Sequence, residues 1–108
     1  MLTVSFARIR PEKEQHLRAW LAELNSRQDE ARQSLAQEGT RQEQVYVVPS
    51  AEGPLLVYVM EAPDTKRAYA AYGKSKLAID EKHRAVLAES LLESLDAVPL
   101  YECFNPVG

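Results

Sequence analysis

Gln42-Glu43-Gln44-Val45-Tyr46-Val47-Val48, Pro49-Ser50-Ala51-Glu52-Gly53-Pro54 and Leu55-Leu56-Val57-Tyr58-Val59-Met60-Glu61 follow one another without a break. The outer two runs are rich in β-branched and aromatic residues, which favour a pleated, half-buried surface. The middle six are turn formers in a connection of hairpin length. The stretch therefore predicts two antiparallel strands joined by a hairpin. Toward the N-terminus, Leu2 to Ile9 alternates large apolar with small or polar residues, the period-2 pattern of another strand. Pro11 ends that strand and suits the first turn of a helix, where its missing N–H is not needed. Leu17, Trp20, Leu21 and Leu24 then form one apolar stripe at helical spacing. An unbroken helix from Pro11 to Glu38 would reach about 42 Å at 1.5 Å per residue, too long for the strands beneath it. A break is expected near Asn25-Ser26, with Ser26 and Asp29 resembling a capping box and Gly39 as the terminating residue.

On the C-terminal side, Asp64 offers an N-cap for a short helix bearing Ala68, Tyr69, Ala71 and Tyr72. Gly73-Lys74-Ser75-Lys76 interrupts it. Asp80 then reads as the cap of a longer helix carrying His83, Val86, Leu87, Leu91 and Leu95, and Val98 to Phe104 as a closing edge strand with Pro99 at its start. Asn105 to Gly108 form a short tail. The order strand, helix, strand, strand, helix, strand is that of a ferredoxin-like α+β fold: a four-stranded antiparallel sheet with its helices on one face. The expectation is one such domain over residues 1–108. In the strands Leu55, Val57 and Val59 lie opposite Leu56, Tyr58 and Met60, so both faces of the sheet are apolar. One chain supplies helices for one face only. The uncovered face predicts a homodimer packed sheet to sheet as a dimeric α+β barrel, with a small-molecule ligand in its interior.

With 108 residues, 45% apolar and 27% charged, the chain has the composition of a globular domain rather than a disordered segment. Thirteen Lys and Arg against 16 Asp and Glu, without a basic cluster, argue against nucleic acid as a partner. The lack of a long apolar run and of a leader argues against a membrane. A lone cysteine, Cys103, fits the reducing cytoplasm and forms no zinc site. No phosphate-binding glycine pattern occurs, and His16 and His83 do not have the spacing of a metal pair, so no cofactor or metal is expected.

His83 shares the sheet-facing stripe of its helix with Val86 and Leu87, which makes it the first candidate for an acid–base group, with Asp80 as its orienting partner and Ser75 as a nearby hydroxyl. The plainer reading makes His83 a hydrogen-bonded core histidine and Asp80 a cap. Ser75 lies in no Gly-x-Ser-x-Gly elbow, which speaks against a Ser-His-Asp triad. Glu43 and Glu61, each near a strand end, are expected to come side by side or nearly so across the hairpin and share a proton or hold a metal; the alternative is strand-end charges in solvent, or an ion pair of one of them with Arg8 or Arg41. Arg8 offers a clamp for a carboxylate ligand, or an internal ion pair. Tyr58 and Tyr72 are candidate cavity liners, as are Tyr46, Tyr69 and Tyr101.

Ala7-Arg8-Ile9-Arg10-Pro11, Trp20-Leu21-Ala22-Glu23-Leu24, and Ser75 with Ile79-Asp80-Glu81-Lys82-His83-Arg84 resemble the corresponding segments of the dimeric α+β barrel superfamily. That group includes antibiotic-biosynthesis monooxygenase-like domains, and more narrowly the chain resembles a bacterial family of small domains of unknown function. The resemblance implies a homodimer with a ligand cavity; it implies no particular reaction, since the fold hosts several. Two readings follow: a cavity that binds or transforms a small organic molecule, with His83 as acid or base, and a non-catalytic dimerisation or interaction module.

Overall fold

The computed structural model describes residues 1–106; of the expected tail, positions 107 and 108 lie outside the described residues. Four antiparallel strands, β1 (Leu2–Ile9), β2 (Gln42–Val48), β3 (Leu55–Glu61) and β4 (Leu91–Ala97), form one sheet in the order β2-β3-β1-β4. After a single 3₁₀ turn at Pro11–Lys13, α1 (Glu14–Ser26) and α2 (Gln28–Glu38) cross back to β2, while α3 (Thr65–Lys74) and α4 (Ala78–Ser90) connect β3 to β4. This is the ferredoxin-like plan, each helical connection being broken in two.

The first break falls where helix length demanded it. Arg27, with φ −114° and ψ 48°, separates α1 from α2. The capping box does not form: Ser26 is the last residue of α1 and donates its hydroxyl back to the Glu23 carbonyl at 2.7 Å. Gly39 ends α2 at φ +77°, a conformation that side chains with a Cβ rarely adopt, and the Thr40 N–H closes onto the Leu35 carbonyl at 2.9 Å. Asp64 caps α3 as expected, accepting from the Arg67 N–H at 3.0 Å. Asp64→Ala should lower stability by about 1 kcal/mol in urea denaturation, the usual loss on removing an N-cap acceptor. Asp80 caps nothing. Leu77 precedes the first residue of α4, and Asp80 sits inside the first turn with its side chain turned elsewhere.

The closing strand is Leu91–Ala97, and residues Val98 to Phe104 form no strand. Leu87, Leu91 and Leu95 are four apart, a spacing that satisfies a helical stripe and also same-side positions on a strand. The second edge of β1 decides between them. Ile9 pairs with Leu91, Ala7 with Ser94, Phe6 with Leu95 and Val4 with Ala97, with a bulge between the first two pairs. The chain passes from α4 into β4 with no loop, and the Ser90 carbonyl accepts from the Arg10 N–H at 2.8 Å.

Ile9, Leu17, Trp20, Leu56, Ile79 and Val86 make the core between sheet and helices. On the other face, Tyr46, Val57, Phe6 and Leu95 line up in one cross-strand row. Gln44, Val59, Val4 and Ala97 form the next. No helix covers these rows, and Leu95 is 50% exposed. Beyond them Val98, Leu100, Tyr101 and Phe104 each leave most of their surface bare.

Candidate functional site

Under the helices the core is incomplete. A cavity of about 180 Å³ opens between the sheet and the helices α1 to α4. That is slightly more than the roughly 150 Å³ that accommodates benzene in an engineered apolar cavity. Its floor is Ala7 of β1 with Leu56, Tyr58 and Met60 of β3; its apolar wall includes Leu24, Ile79 and Leu87. Several polar groups line it as well. Glu38 of α2, Glu43 of β2, Tyr58 of β3, Tyr72 of α3, and Asp80 and His83 of α4 all reach it.

His83 is 5% exposed and surrounded by three aromatic rings, Trp20, Tyr58 and Tyr72, each with its centroid 6.0 Å away. Trp20 Nε1–H donates to His83 Nδ1 at 2.7 Å. An indole nitrogen only donates, so Nδ1 carries a lone pair and the ring proton lies on Nε2. Nε2 is 3.2 Å from the Tyr58 hydroxyl, which therefore accepts from it. The Tyr58 hydroxyl also acts on the Glu43 carboxyl, favouring its charged form. The result is a directed chain, Trp20 to His83 to Tyr58, beside Glu43. Burial pushes the imidazole down to about 4, only partly opposed by the nearby Asp80 charge. A proton on Nδ1 would also set two N–H groups against each other. His83 thus meets the cavity as a neutral donor.

Glu43 behaves in the opposite sense. Burial, reinforced by the negative charges of Glu38 and Asp80 and opposed by the Tyr58 bond, pushes its carboxyl up to about 7. Burial likewise raises Glu38 above the usual carboxylate range. Ser34 Oγ lies 2.9 Å from Glu38 Oε2 and 2.6 Å from Asp80 Oδ1. One hydroxyl proton serves only one of them, and Glu38 accepts a further bond from the Thr40 hydroxyl, 3.2 Å from Oε1. Asp80 Oδ2 accepts from Ser75 at 2.5 Å, while Ser75 Oγ accepts from the Leu77 N–H. Asp80 is therefore anchored to two serines and makes no hydrogen bond to His83, contrary to the expected orienting role. Ser75 is buried behind it, off the cavity wall. Tyr72 has a buried hydroxyl with no hydrogen-bond partner.

Other expected site residues lie elsewhere. Gln42 pairs with Glu61 and Glu43 with Met60, so Glu43 faces the helices and Glu61 the open side of the sheet. The two carboxyls do not meet, because residues of equal parity fall on opposite faces when the paired numbers add to 103. Glu61 pairs instead with Arg41 at 3.8 Å. Arg8 is also on the open face, in an exposed ion pair with Glu52 at 3.0 Å. Tyr46 and Tyr101 are outside the cavity, whereas Tyr69 stands at its mouth. A second hollow, of about 250 Å³, lies beside Arg8, Glu52, Glu93 and Leu95. His16 pairs with Glu89 at the surface. Ser34, Glu38 and Thr40 were not singled out by the sequence; the signal was Ala31, Ser34 and Glu38 at i, i+3 and i+7, a helix face whose small and acidic members are buried.

Among the described residues, no group of three or more His, Cys, Asp or Glu is arranged to hold a metal ion, and no helix is long and apolar enough to cross a membrane. Two solved structures share the fold. Rv0793 from Mycobacterium tuberculosis is 22% identical at a TM-score of 0.56, covering 95% of this chain and 97% of its own. A candidate antibiotic biosynthesis monooxygenase from Nitrosomonas europaea is 16% identical at a TM-score of 0.56, covering 93% and 98%. At such identities the likeness speaks for the architecture alone. Comparison with curated proteins returns no match. The family model that matches spans residues 2–100, and the chain belongs to the family of unknown function DUF6176.

Proposed function

We propose that the protein is a homodimer, each subunit of which binds a small organic molecule in the cavity beneath its helices, with Glu43 changing its protonation as the molecule enters. The observation that carries this reading is the convergence of polar side chains from five elements on one unfilled, otherwise apolar space. An interaction module has no need of such a space, since an interior normally packs to crystal-like density and spends no buried carboxyls. Glu43 is the proton carrier, because its carboxyl changes state near neutral pH. His83, first considered for that role, holds Tyr58 in place through Nε2 and so orients the Tyr58–Glu43 pair.

The dimer reading rests on the open face. Its centre is the row Tyr46, Val57, Phe6 and Leu95, and its margin carries Gln44 and the ion pairs Arg8–Glu52 and Arg41–Glu61. An apolar centre with a polar rim is the anatomy of a protein interface. The bare apolar side chains of 98–104 add surface that a second copy would cover.

Native mass spectrometry with sedimentation velocity tests both parts. The wild type should run as a dimer, and copurified ligand should appear as a mass increment on each subunit. Val57→Glu places a charge in the middle of the contact and should weaken the dimer by more than about 100-fold, given the several kcal/mol that an unpaired buried charge costs. Ala31→Phe should fill the cavity and remove the ligand without dissociating the dimer. A wild type that sediments at the 12.2 kDa of one chain at high concentration overturns the dimer. A dimer that never retains or takes up a small molecule leaves only the interaction-module reading.

A further inference from the structure

Three carboxyl groups, Glu38, Glu43 and Asp80, line the cavity, and no lysine or arginine does. One nearby guanidinium is already committed: Arg84 donates to the backbone carbonyls of Tyr72 and Ser75, at 2.5 and 2.9 Å, and lies over the Tyr72 ring. Lys82 and Arg27 stack against Trp20 and reach Glu23, outside the cavity. Acidic groups withdrawn from water without a counter-charge raise the free energy of the empty site. Alongside them Tyr72 presents a buried hydroxyl that neither donates nor accepts any bond. Most of the remaining lining is apolar, and the space has room for about one ring.

The geometry points to a small organic cation as the ligand: a protonated amine on a single-ring apolar body, its ammonium set against the Glu43 carboxyl and the free oxygen of Tyr72, in the field of Glu38 and Asp80. This rests on the cavity being a ligand site and adds the charge and size of what fills it. An ammonium is a donor only, and the site offers it the unpartnered Tyr72 oxygen and the Glu43 carboxyl, near the aromatic ring of Tyr58, which also attracts a cation. A metal ion is a poorer fit because the acidic side chains are not grouped for coordination. An anion would meet three carboxyls and no basic side chain.

Binding has a proton balance. Where Glu43 holds a proton, the arriving ammonium keeps all of its own and Glu43 releases one to the buffer, leaving carboxylate against ammonium. The groups facing Glu43 are Glu38 from α2, Tyr58 from β3, Tyr69 and Tyr72 from α3, and Asp80 and His83 from α4. The carboxyls among them disfavour a second negative charge, and the neutral imidazole does not offset it. A cation reverses that balance.

The test uses the purified full-length protein, with phenethylamine, 2-phenylethanol and phenylacetate as cationic, neutral and anionic probes of one shape. Calorimetry at pH 6 and pH 8, in buffers of different ionisation enthalpy, reads affinity and proton release together. At pH 8 the amine should bind about tenfold or more tightly than the alcohol, the scale of one charge-assisted contact, and phenylacetate should not bind. Amine affinity should fall about tenfold at pH 6, with more proton release there. Glu43→Gln should erase most of the amine's advantage and keep alcohol binding. If the alcohol matches or exceeds the amine at pH 8, or if Glu43→Gln leaves their ratio unchanged, the cavity stands and its charge selectivity is refuted. If none of the three binds, both the cavity reading and this one fall.

Discussion

Glu43→Gln should make the folded protein more stable by about 3 kcal/mol at pH 8 and leave it unchanged at pH 4. The reasoning follows from where the carboxyl sits. Its ordinary value of 4.5 is moved up to about 7, first by burial and then by the charges of Glu38 and Asp80. Between those two values the folded chain holds a proton that the unfolded chain has lost. Native stability therefore falls as pH rises from about 4.5 to about 7, and above that window the full cost of a buried negative charge is present. Glutamine has nearly the same shape, never ionises, and can still accept from Tyr58. Chemical denaturation of both proteins at one fixed concentration, across pH 4 to 8, isolates this contribution because everything else that titrates is shared. A constant difference between variant and wild type across the range would mean that Glu43 is not held as the geometry indicates. A substitution that stabilises is also informative about function. A residue whose natural form costs stability at working pH is the kind of group a binding site keeps for its ligand.

The architecture was legible where a local signal and the tertiary requirement agreed. The alternation in 42–48 and 55–61 and the Pro- and Gly-bearing turn between them dictate a hairpin whether or not anything else is known. The stripe Leu17, Trp20, Leu21, Leu24 likewise dictates a helix lying on it. The closing strand was misplaced because Leu91 and Leu95 satisfy both periods, and only the unpaired edge of β1 distinguishes them. Glu43 and Glu61 were brought together by parity alone. Parity tells which residues share a side within a strand, but the register of the turn decides which side of the neighbouring strand they meet. The candidate site was half visible. His83, Tyr58, Tyr72, Asp80 and Glu43 stood out as chemically able residues near apolar stripes, and all five line the cavity. Their pairings were not visible, since contacts such as Trp20 with His83 join residues 63 positions apart. Ser34 and Glu38 went unnoticed because α2 is a mostly polar helix, and polarity in sequence normally signals solvent. Here the two polar residues are buried at 6% exposure each, against Asp80.

His83→Ala should destabilise the protein by about 3 kcal/mol at pH 7, and that loss should nearly vanish at pH 4. The loss has two parts. Removing the imidazole leaves the buried Trp20 N–H without an acceptor, worth roughly 1–3 kcal/mol, and opens space among three aromatic rings. The pH dependence has its own sign. The folded state holds His83 neutral down to about 4, while the unfolded chain takes up a proton below 6.5. The wild type therefore loses stability as pH falls through that window, by about 1.4 kcal/mol per unit, and alanine does not share the loss. This slope is opposite to that of Glu43, so the two substitutions bend the pH–stability curve in opposite directions. Trp20→Phe supplies the second arm of a double-mutant cycle. Phenylalanine removes the donor, so His83→Ala in that background should cost about 1–2 kcal/mol less than in the wild type. Additivity of the two substitutions would show that the indole does not hold Nδ1, and with that the assignment of Nε2–H to Tyr58 would have no support. A coupled pair instead makes the indole the group that sets the direction of the chain: with Nδ1 occupied, His83 can only donate toward Tyr58, whose own proton must then point away from the imidazole.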